Sequence, residues 1–408
     1  KLSRQLRVGG LRESRPAMKG PDIISLGCRL NIAESERMRG MLSDEDNLVV
    51  INSCAVTAEA VRQTRQAIRR ARRANPDARL LVTGCAADIE REQISAMPEV
   101  DGLIANQAKL DPRVWNVPAA AVPVSPNRTR AFIAVQNGCD HACTFCVIPQ
   151  GRGRSRSLTV AQVLREVEQH LAQGAAEVVL TGVDVTSWGY DLPGKPPLGS
   201  LVSAILRTFP ELMRLRMSSL DGIEIDEELF DLFACEQRLM PHLHLSLQHG
   251  HDLILKRMKR RHLRRHAAEL VARLKQLRPE MAIGADLIAG FPTETEEHHR
   301  ANLSIIGELE IVHGHIFPYS PRPGTPAARM PQHDKALIKR RASELRGMAA
   351  EVHSGWLQTL VGREMSVLAE RDGTGYAPDF ARVAVPAGIE AGCIVKLCPT
   401  QIKEGLLA

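Results

Sequence analysis

Three cysteines stand in the run Gly138-Cys139-Asp140-His141-Ala142-Cys143-Thr144-Phe145-Cys146. Their C-x3-C-x2-C spacing puts three soft thiolates in one short, glycine-led loop, which suits an iron–sulfur cluster or a zinc ion. A four-iron cluster held by three local thiolates leaves one iron for a ligand that is not protein. Zinc would take a fourth ligand, and His141 is at hand. The loop follows the first strand of a barrel-like segment, on the face where such barrels keep their chemistry, whereas zinc knuckles belong to small autonomous units. The expectation is therefore a cluster.

A second set is dispersed. Cys28, Cys54 and Cys85 follow the strand-like runs ending Ser25-Leu26-Gly27, Ile51-Asn52-Ser53 and Val82-Thr83-Gly84. In a parallel sheet the carboxyl ends of the strands share one edge, where ligands bind, so the three can converge. The alternative is three small buried hydrophobes. Cys235, Cys393 and Cys398 have no such setting and are expected to pack.

These cysteines need elements to position them. From 21 to 120 strand and helix signals alternate: Ile23–Leu26, Leu48–Ile51, Leu80–Val82 and Gly102–Ala105 read as strands, and Glu59–Ala74 as a helix. That is a small, mostly parallel sheet. Pro118, Pro123 and Pro126 mark a linker. Over 128–355 the alternation restarts, with strand candidates Phe132–Gln136, Glu177–Leu180, Arg214–Ser218, His242–Leu247, Ala282–Ile288 and Gly314–Pro318. Helical patterns such as Thr159–Gln173 and Arg260–Leu277 lie between them. Six βα units fall short of the eight of a full barrel, so an open, partial (βα)6 barrel is expected. From 358 to 408 short glycine-punctuated strands, Met365–Ala369, Phe380–Val385 and Gly392–Leu397, read as a small β-barrel. The fold class is thus α/β with an all-β tail.

At 408 residues and 44% hydrophobic content the chain can fill several cores. Its formal charge of +6 permits an acidic partner without demanding one, and 3% aromatics argues against extended stacking platforms for single strands. Nine cysteines in a chain of this length without a secretory signal suit a reducing, cytoplasmic setting. With no apolar run of about 18 residues, no membrane partner is expected. The basic stretch before Pro21 reads as a frayed terminus, with Met18 a possible start.

The cysteine loop resembles the cluster motif of radical S-adenosylmethionine (SAM) enzymes. Together with Leu26-Gly27-Cys28-Arg29-Leu30-Asn31, Asn52-Ser53-Cys54-Ala55-Val56-Thr57 and Thr83-Gly84-Cys85 it is similar to the methylthiotransferase family across nearly the whole chain. The runs Arg128-Thr129-Arg130-Ala131-Phe132, Phe317-Pro318-Tyr319-Ser320 and Gly324-Thr325-Pro326-Ala327-Ala328-Arg329-Met330 resemble the branch that modifies threonylcarbamoyladenosine at tRNA position 37. Sibling branches act on isopentenyladenosine-37 or on a ribosomal-protein aspartate. A non-catalytic RNA-binding iron–sulfur sensor is the alternative from another class.

The resemblance implies an amino-terminal domain, a radical-SAM core and a terminal TRAM module. It implies two [4Fe–4S] clusters, one on Cys139, Cys143 and Cys146 and an auxiliary one on Cys28, Cys54 and Cys85. The first would bind SAM and generate a 5′-deoxyadenosyl radical, and the second would carry the sulfur. The tRNA anticodon loop, an external electron donor and a sulfur source are the implied partners. Candidate SAM contacts are Gly182 and Asp184 after the second barrel strand, Ser218 after the third, Gln248 after the fourth, and Phe145 in the cluster loop. Gly290-Phe291-Pro292 follows the fifth. Ordinary βα-turn chemistry is the alternative for each.

Three basic groups are candidates for phosphate: Arg62, Arg65, Arg69, Arg72 and Arg73 on one helix face; Arg152, Arg154 and Arg156 after the cluster loop; and Lys256 to Arg265. A solvated surface is the alternative for the first. The tail from Thr359 carries five basic against six acidic residues, which gives it no charge-based claim on RNA. His242 and His244 alternate with leucines and so face one way, which suits a polar barrel interior better than a metal site.

Overall fold

The computed structural model describes residues 20–118 and 129–408. The basic amino-terminal stretch with Met18, linker residues Pro123 and Pro126, and Arg128 lie outside the described residues.

The first sheet is parallel, in the order β1 (Asp22–Ser25), β2 (Leu48–Ser53), β3 (Arg79–Gly84) and β4 (Gly102–Leu103). Every residue of β2 is buried, as expected of a strand covered by helices on both faces. Helix α1 (Arg29–Met41) follows β1, and α2 (Ala58–Ala74) follows β2. Thr57 caps α2 by accepting from the Ala60 amide, and Val61, Ala67, Ile68 and Ala71 form its buried stripe. A short helix, α3 (Cys85–Ile89), opens directly on the third cysteine.

Six further parallel strands form the partial barrel. They are β5 (Arg130–Ala134), β6 (Glu177–Thr181), β7 (Arg214–Met217), β8 (His242–Gln248), β9 (Ala282–Ala289) and β10 (Ile311–Pro318). They pair as two parallel triplets, β5-β6-β7 and β8-β9-β10. The seam between the triplets is held by isolated parallel bridges at Leu215/Leu239 and Leu220/Leu245. Outward residues Leu243, Leu245, Leu247, Ile283, Ala285 and Leu287 join one large core under the helices. By alternation His242, His244, Ser246 and Asp286 face the lumen. Helix α4 (Ile148–Arg152) closes the cluster loop. Helix α5 (Val160–Ala172) begins in a full capping box between Thr159 and Gln162. Helix α6 (Arg264–Leu277) starts four residues later than its sequence pattern, because a short helix, Asp252–Arg257, and a turn occupy the start of the basic run.

A 26-residue helix, α7 (Lys335–Leu360), leads into the tail. The tail is one six-stranded mixed sheet, ordered Ile394–Leu397, Met365–Ala369, Thr374–Tyr376, Arg382–Ala384, Leu406–Leu407, Ile402–Lys403. It docks under the barrel: Arg214 donates to the Tyr376 and Ser366 carbonyls (3.0 and 2.6 Å), and Arg216 to that of Pro378 (3.1 Å).

The packing role expected for Cys235, Cys393 and Cys398 is corrected: all three are exposed. Cys235 ends the helix Glu227–Cys235, and Cys393 precedes a tail strand, so neither reaches a core.

Candidate metal centres and the barrel lumen

The parallel sheet places the dispersed cysteines at one edge. Cys28 is the residue before α1, Cys54 follows β2, and Cys85 opens α3. Gly27 has φ +92°, and a Cβ there would sit 2.7 Å from the Cys54 sulfur, so the glycine lets the first loop lie on the second cysteine. Burial pushes the Cys54 thiol up to about 11 and raises that of Cys85, and the neighbouring thiols push the same way. Thiols held protonated above neutrality become ligands when a metal competes with the proton.

The other triad lies on the loop after β5. Its entry is fixed by Gly138 at φ +76°, whose missing Cβ leaves room for the Arg154 carbonyl. The Cys139 amide donates to the Gly153 carbonyl (3.1 Å), the Thr144 amide to that of Met258 (3.0 Å), and Ala327 to that of Thr144 (2.9 Å). Burial raises the Cys139 and Cys146 thiols to about 12 and about 11.

Among the described residues, the groups of three ligand atoms lying within 4.8 Å of one another are Cys139–His141–Asp184 and His244–Asp286–His315. Neither cysteine triad is that compact. A single tetrahedral zinc brings its thiolates to within about 3.8 Å of one another. The wider spacing suits a multi-iron cluster. His141 is engaged elsewhere: its Nε2 lies 2.7 Å from Asp184, which draws the imidazole up to about 10 and so keeps it protonated.

One buried ion cluster ties the two cysteine sets together. The Glu34 carboxylate, on α1, accepts from Lys109 (2.6 Å), Arg152 (2.9 and 3.0 Å) and Asn137 (3.0 Å). All three charged side chains are 2% exposed or less. Arg152 also reaches Asn31 (2.5 Å), and Lys109 reaches Asn52 (3.0 Å). The amide of Asn106 spans Gly151 and Cys85, 2.6 Å from the carbonyl and 3.7 Å from the sulfur. Two cations against one carboxylate leave a net positive charge beside the cysteines: Arg152 pulls the Cys54 and Cys85 thiols down against burial, and Lys109 does the same at Cys85. Arg152, expected among the phosphate contacts, is thereby corrected: its partner is Glu34. Lys109, Asn106 and Glu34 carry no sequence signal as site residues, whereas Asn31 and Asn52 stand in the cysteine motifs themselves.

The other basic groups are also largely paired. Arg62, Arg65, Arg69 and Arg72 face Glu59, Glu90, Glu99 and Asp101. Arg260 is held by Asp221 (2.7 Å) and the Ser246 carbonyl (2.8 Å), and points an N–H at the Cys143 sulfur (3.7 Å). Arg261 pairs with Glu224, and Arg264 with Glu308. Arg154, Arg156, Lys256, Lys259 and Arg265 are exposed.

The SAM candidates fall as follows. The Cα of Gly182 is covered by Gln136, whose side-chain oxygen accepts from the Val183 and Asp184 amides (3.1 and 2.9 Å). Asp184 serves His141 and the Ser187 hydroxyl (2.5 Å). The Ser218 hydroxyl is buried with no partner. Gln248 ends β8 in a left-handed conformation, φ +70°. Phe145 packs on the apolar group of Ile254, Met258, Phe291 and Tyr319.

Deeper in the lumen Asp286 accepts from His244 (3.1 Å) and His315 (3.2 Å). The floor is a tail residue, Phe380, at φ +72°. His242 stacks on it (centroids 5.0 Å), and the guanidiniums of Arg216, Arg29 and Arg130 lie 4.6, 5.5 and 5.7 Å from its ring.

Residues 133–304 match the radical SAM superfamily and residues 22–105 match the uncharacterized protein family UPF0004. The threonylcarbamoyladenosine tRNA methylthiotransferase MtaB of Rickettsia prowazekii is 42% identical over 95% of this chain and 96% of its own. A Bacillus subtilis protein of the same name is 34% identical over 75% of this chain and 74% of its own. The tRNA-2-methylthio-N(6)-dimethylallyladenosine synthase of Cereibacter sphaeroides is 33% identical over 86% of this chain and 87% of its own. Among solved structures, the radical SAM methyltransferase TsrM of Kitasatospora setae shares the fold at TM-score 0.51 and 19% identity, over 69% of this chain and 65% of that one. The two matched segments each carry one cysteine triad, and the similarity runs nearly end to end. The chain belongs to the radical SAM methylthiotransferase family, and it is an enzyme.

Proposed function

We propose that the protein installs a methylthio group at C2 of N6-threonylcarbamoyladenosine at position 37 of tRNA, using two [4Fe–4S] clusters and SAM. The observation that carries this is the meeting of two cysteine triads across the buried Glu34–Arg152 contact, with a lumen beside both. When bound, the clusters would relay the external donor's electron and carry the sulfur, and SAM would supply the radical and the methyl group. The protein's part is to hold and shield them. Cys139, Cys143 and Cys146 would hold the SAM-binding cluster, and Cys28, Cys54 and Cys85 the auxiliary one. Lys109 and Arg152 offset the negative charge of the auxiliary thiolates, and Arg260 does the same at Cys143. The chemistry requires an external electron donor and a sulfur source. An anticodon loop suits the site because its unpaired base can be splayed into a lumen. No helix among the described residues is long and apolar enough to cross a membrane, and the cytoplasm is the proposed location.

Two measurements test this. Anaerobic reconstitution is expected to give about eight irons per chain, and about four for Cys54→Ala. Four in the wild type would remove the second cluster. Hydrolysed tRNA from a strain lacking the gene is expected to lose 2-methylthio-threonylcarbamoyladenosine and regain it on complementation. A second reading keeps the chemistry and changes the nucleoside to dimethylallyladenosine, the substrate in the Cereibacter relative's name; loss of that product instead would establish it.

The exposed arginines beside the cluster loop are the remaining candidates for phosphate. Arg154→Glu is expected to weaken anticodon-stem-loop binding and to reduce the salt slope by about one unit. An unchanged slope would exclude a phosphate contact there.

A further inference from the structure

The floor of the lumen holds an arginine with no hydrogen bond or ion pair to any described residue. Four arginines gather there, Arg29, Arg130, Arg214 and Arg216, with three acids, Glu177, Glu370 and Asp379. Arg130 pairs with Glu370 (2.8 Å) and Arg216 with Glu177 (3.0 Å), while Arg214 donates to tail carbonyls. Arg29 has no hydrogen bond or ion pair to any described residue; it lies over the Phe380 ring. Glu177, already paired with Arg216, attracts Arg29 only from a distance, and a guanidinium stays charged at neutral pH. Beside it His242 is 2% exposed, and neither ring nitrogen has a hydrogen-bond partner among the described residues. A half-buried guanidinium and a buried imidazole, both without hydrogen-bond partners among the described residues, are costly, and the cost is recovered when an anion with hydrogen-bonding capacity enters.

We propose that Arg29, supported by Phe380 and flanked by His242, receives the carboxylate on the N6 substituent of the substrate nucleoside and so sets which modified adenosine is accepted. This rests on the threonylcarbamoyladenosine reading above and deepens it. A guanidinium fork matches a carboxylate through two parallel hydrogen bonds. Its position fits the chemistry of the base. C2 and C6 flank N1 of the adenine ring, so the carbon that reacts and the nitrogen that bears the substituent are close neighbours. Cys28, a ligand of the proposed sulfur-carrying cluster, and Arg29 are neighbours in sequence. A base with C2 turned to the cluster presents its N6 substituent to the lumen beside it. An apolar substituent would leave Arg29 unpaired, and rejection then follows from the unpaired charge rather than from lack of space.

The test uses the reconstituted full-length protein and synthetic anticodon stem-loops differing at position 37. The loops carry threonylcarbamoyladenosine, its neutral methyl ester, dimethylallyladenosine or adenosine, and binding is read by fluorescence anisotropy. The wild type is expected to prefer the free acid over the ester by about 10- to 100-fold. Arg29→Gln is expected to bind acid and ester equally, and Arg29→Lys to recover part of the preference. Comparable binding of the adenosine loop by wild type and variants reports that the fold is intact. A preference for the acid that survives Arg29→Gln overturns the inference and leaves the substrate reading standing. A wild type that binds none of the loops, or prefers dimethylallyladenosine, overturns the substrate reading and the inference with it.

Discussion

Replacing Glu34 by alanine is expected to cost the apoprotein about 3–5 kcal/mol of stability, because it strands two buried cations. Lys109 and Arg152 are both within 3.0 Å of this carboxylate, and both are almost fully buried. Asn31, Asn52 and Asn137 would remain as partners, but amides do not neutralise charge. The measurement is the urea midpoint of the metal-free chain. The effect has a pH signature. Burial by itself would raise the Glu34 carboxyl, yet Lys109 and Arg152 outweigh burial and hold it below the ordinary 4.5. A carboxylate depressed in the folded state contributes stability above its unfolded pKa, and that contribution is lost as pH falls through the folded value. The gap between wild type and Glu34→Ala should therefore be full at pH 7 and narrow below about pH 4. A gap that does not change with pH would mean that packing, not charge, is what Glu34 supplies.

Gly138→Ala is expected to remove one cluster and spare the other. The position has φ +76°, and an added Cβ would overlap the Arg154 carbonyl, which belongs to backbone and cannot swing aside. The left-handed conformation alone costs roughly 1 kcal/mol for alanine. The larger effect is displacement of the Cys139–Gly153 hydrogen bond, which sets where the first thiol of the loop stands. Iron should fall from about eight to about four per chain, the same count as for Cys54→Ala. Reductive cleavage of SAM separates the two variants: it is expected to vanish in Gly138→Ala and to persist in Cys54→Ala. Retained cleavage in Gly138→Ala would show that the loop tolerates the shift.

Much of this architecture is legible in the residues alone. Strand ends in a parallel sheet must share an edge, so the sequence alone brings Cys28, Cys54 and Cys85 together. Six βα units and a glycine-punctuated tail follow from periodicity. The helical pattern Thr159–Gln173 locates α5, which the structure opens with a capping box between Thr159 and Gln162. What stayed hidden is the set of buried charges. Glu34 and Arg152 look like surface residues because a charge is normally solvated. Only the tertiary contact between α1 and α4 makes each the other's solvent. Arg29 and Phe380 give no signal for a related reason: they meet only through the fold, and Phe380's partner in the chain, Tyr376, says nothing of the lumen. The arginine-rich face of α2 misleads in the opposite direction, since its neutralising acids Glu90, Glu99 and Asp101 come from segments after the helix.

Phe380 closing the base of the lumen has a consequence for the order of biogenesis. All six cysteines of the two triads are translated by Cys146, and domains synthesised first tend to fold first. The floor arrives only with the turn between the tail strands Thr374–Tyr376 and Arg382–Ala384, after a loop closure that spans most of the polypeptide. Loading of the proposed clusters would therefore have a window in which both cysteine sets exist and the chamber is still open from below, and the proposed nucleoside pocket would be complete only after the turn that carries Phe380 has been made.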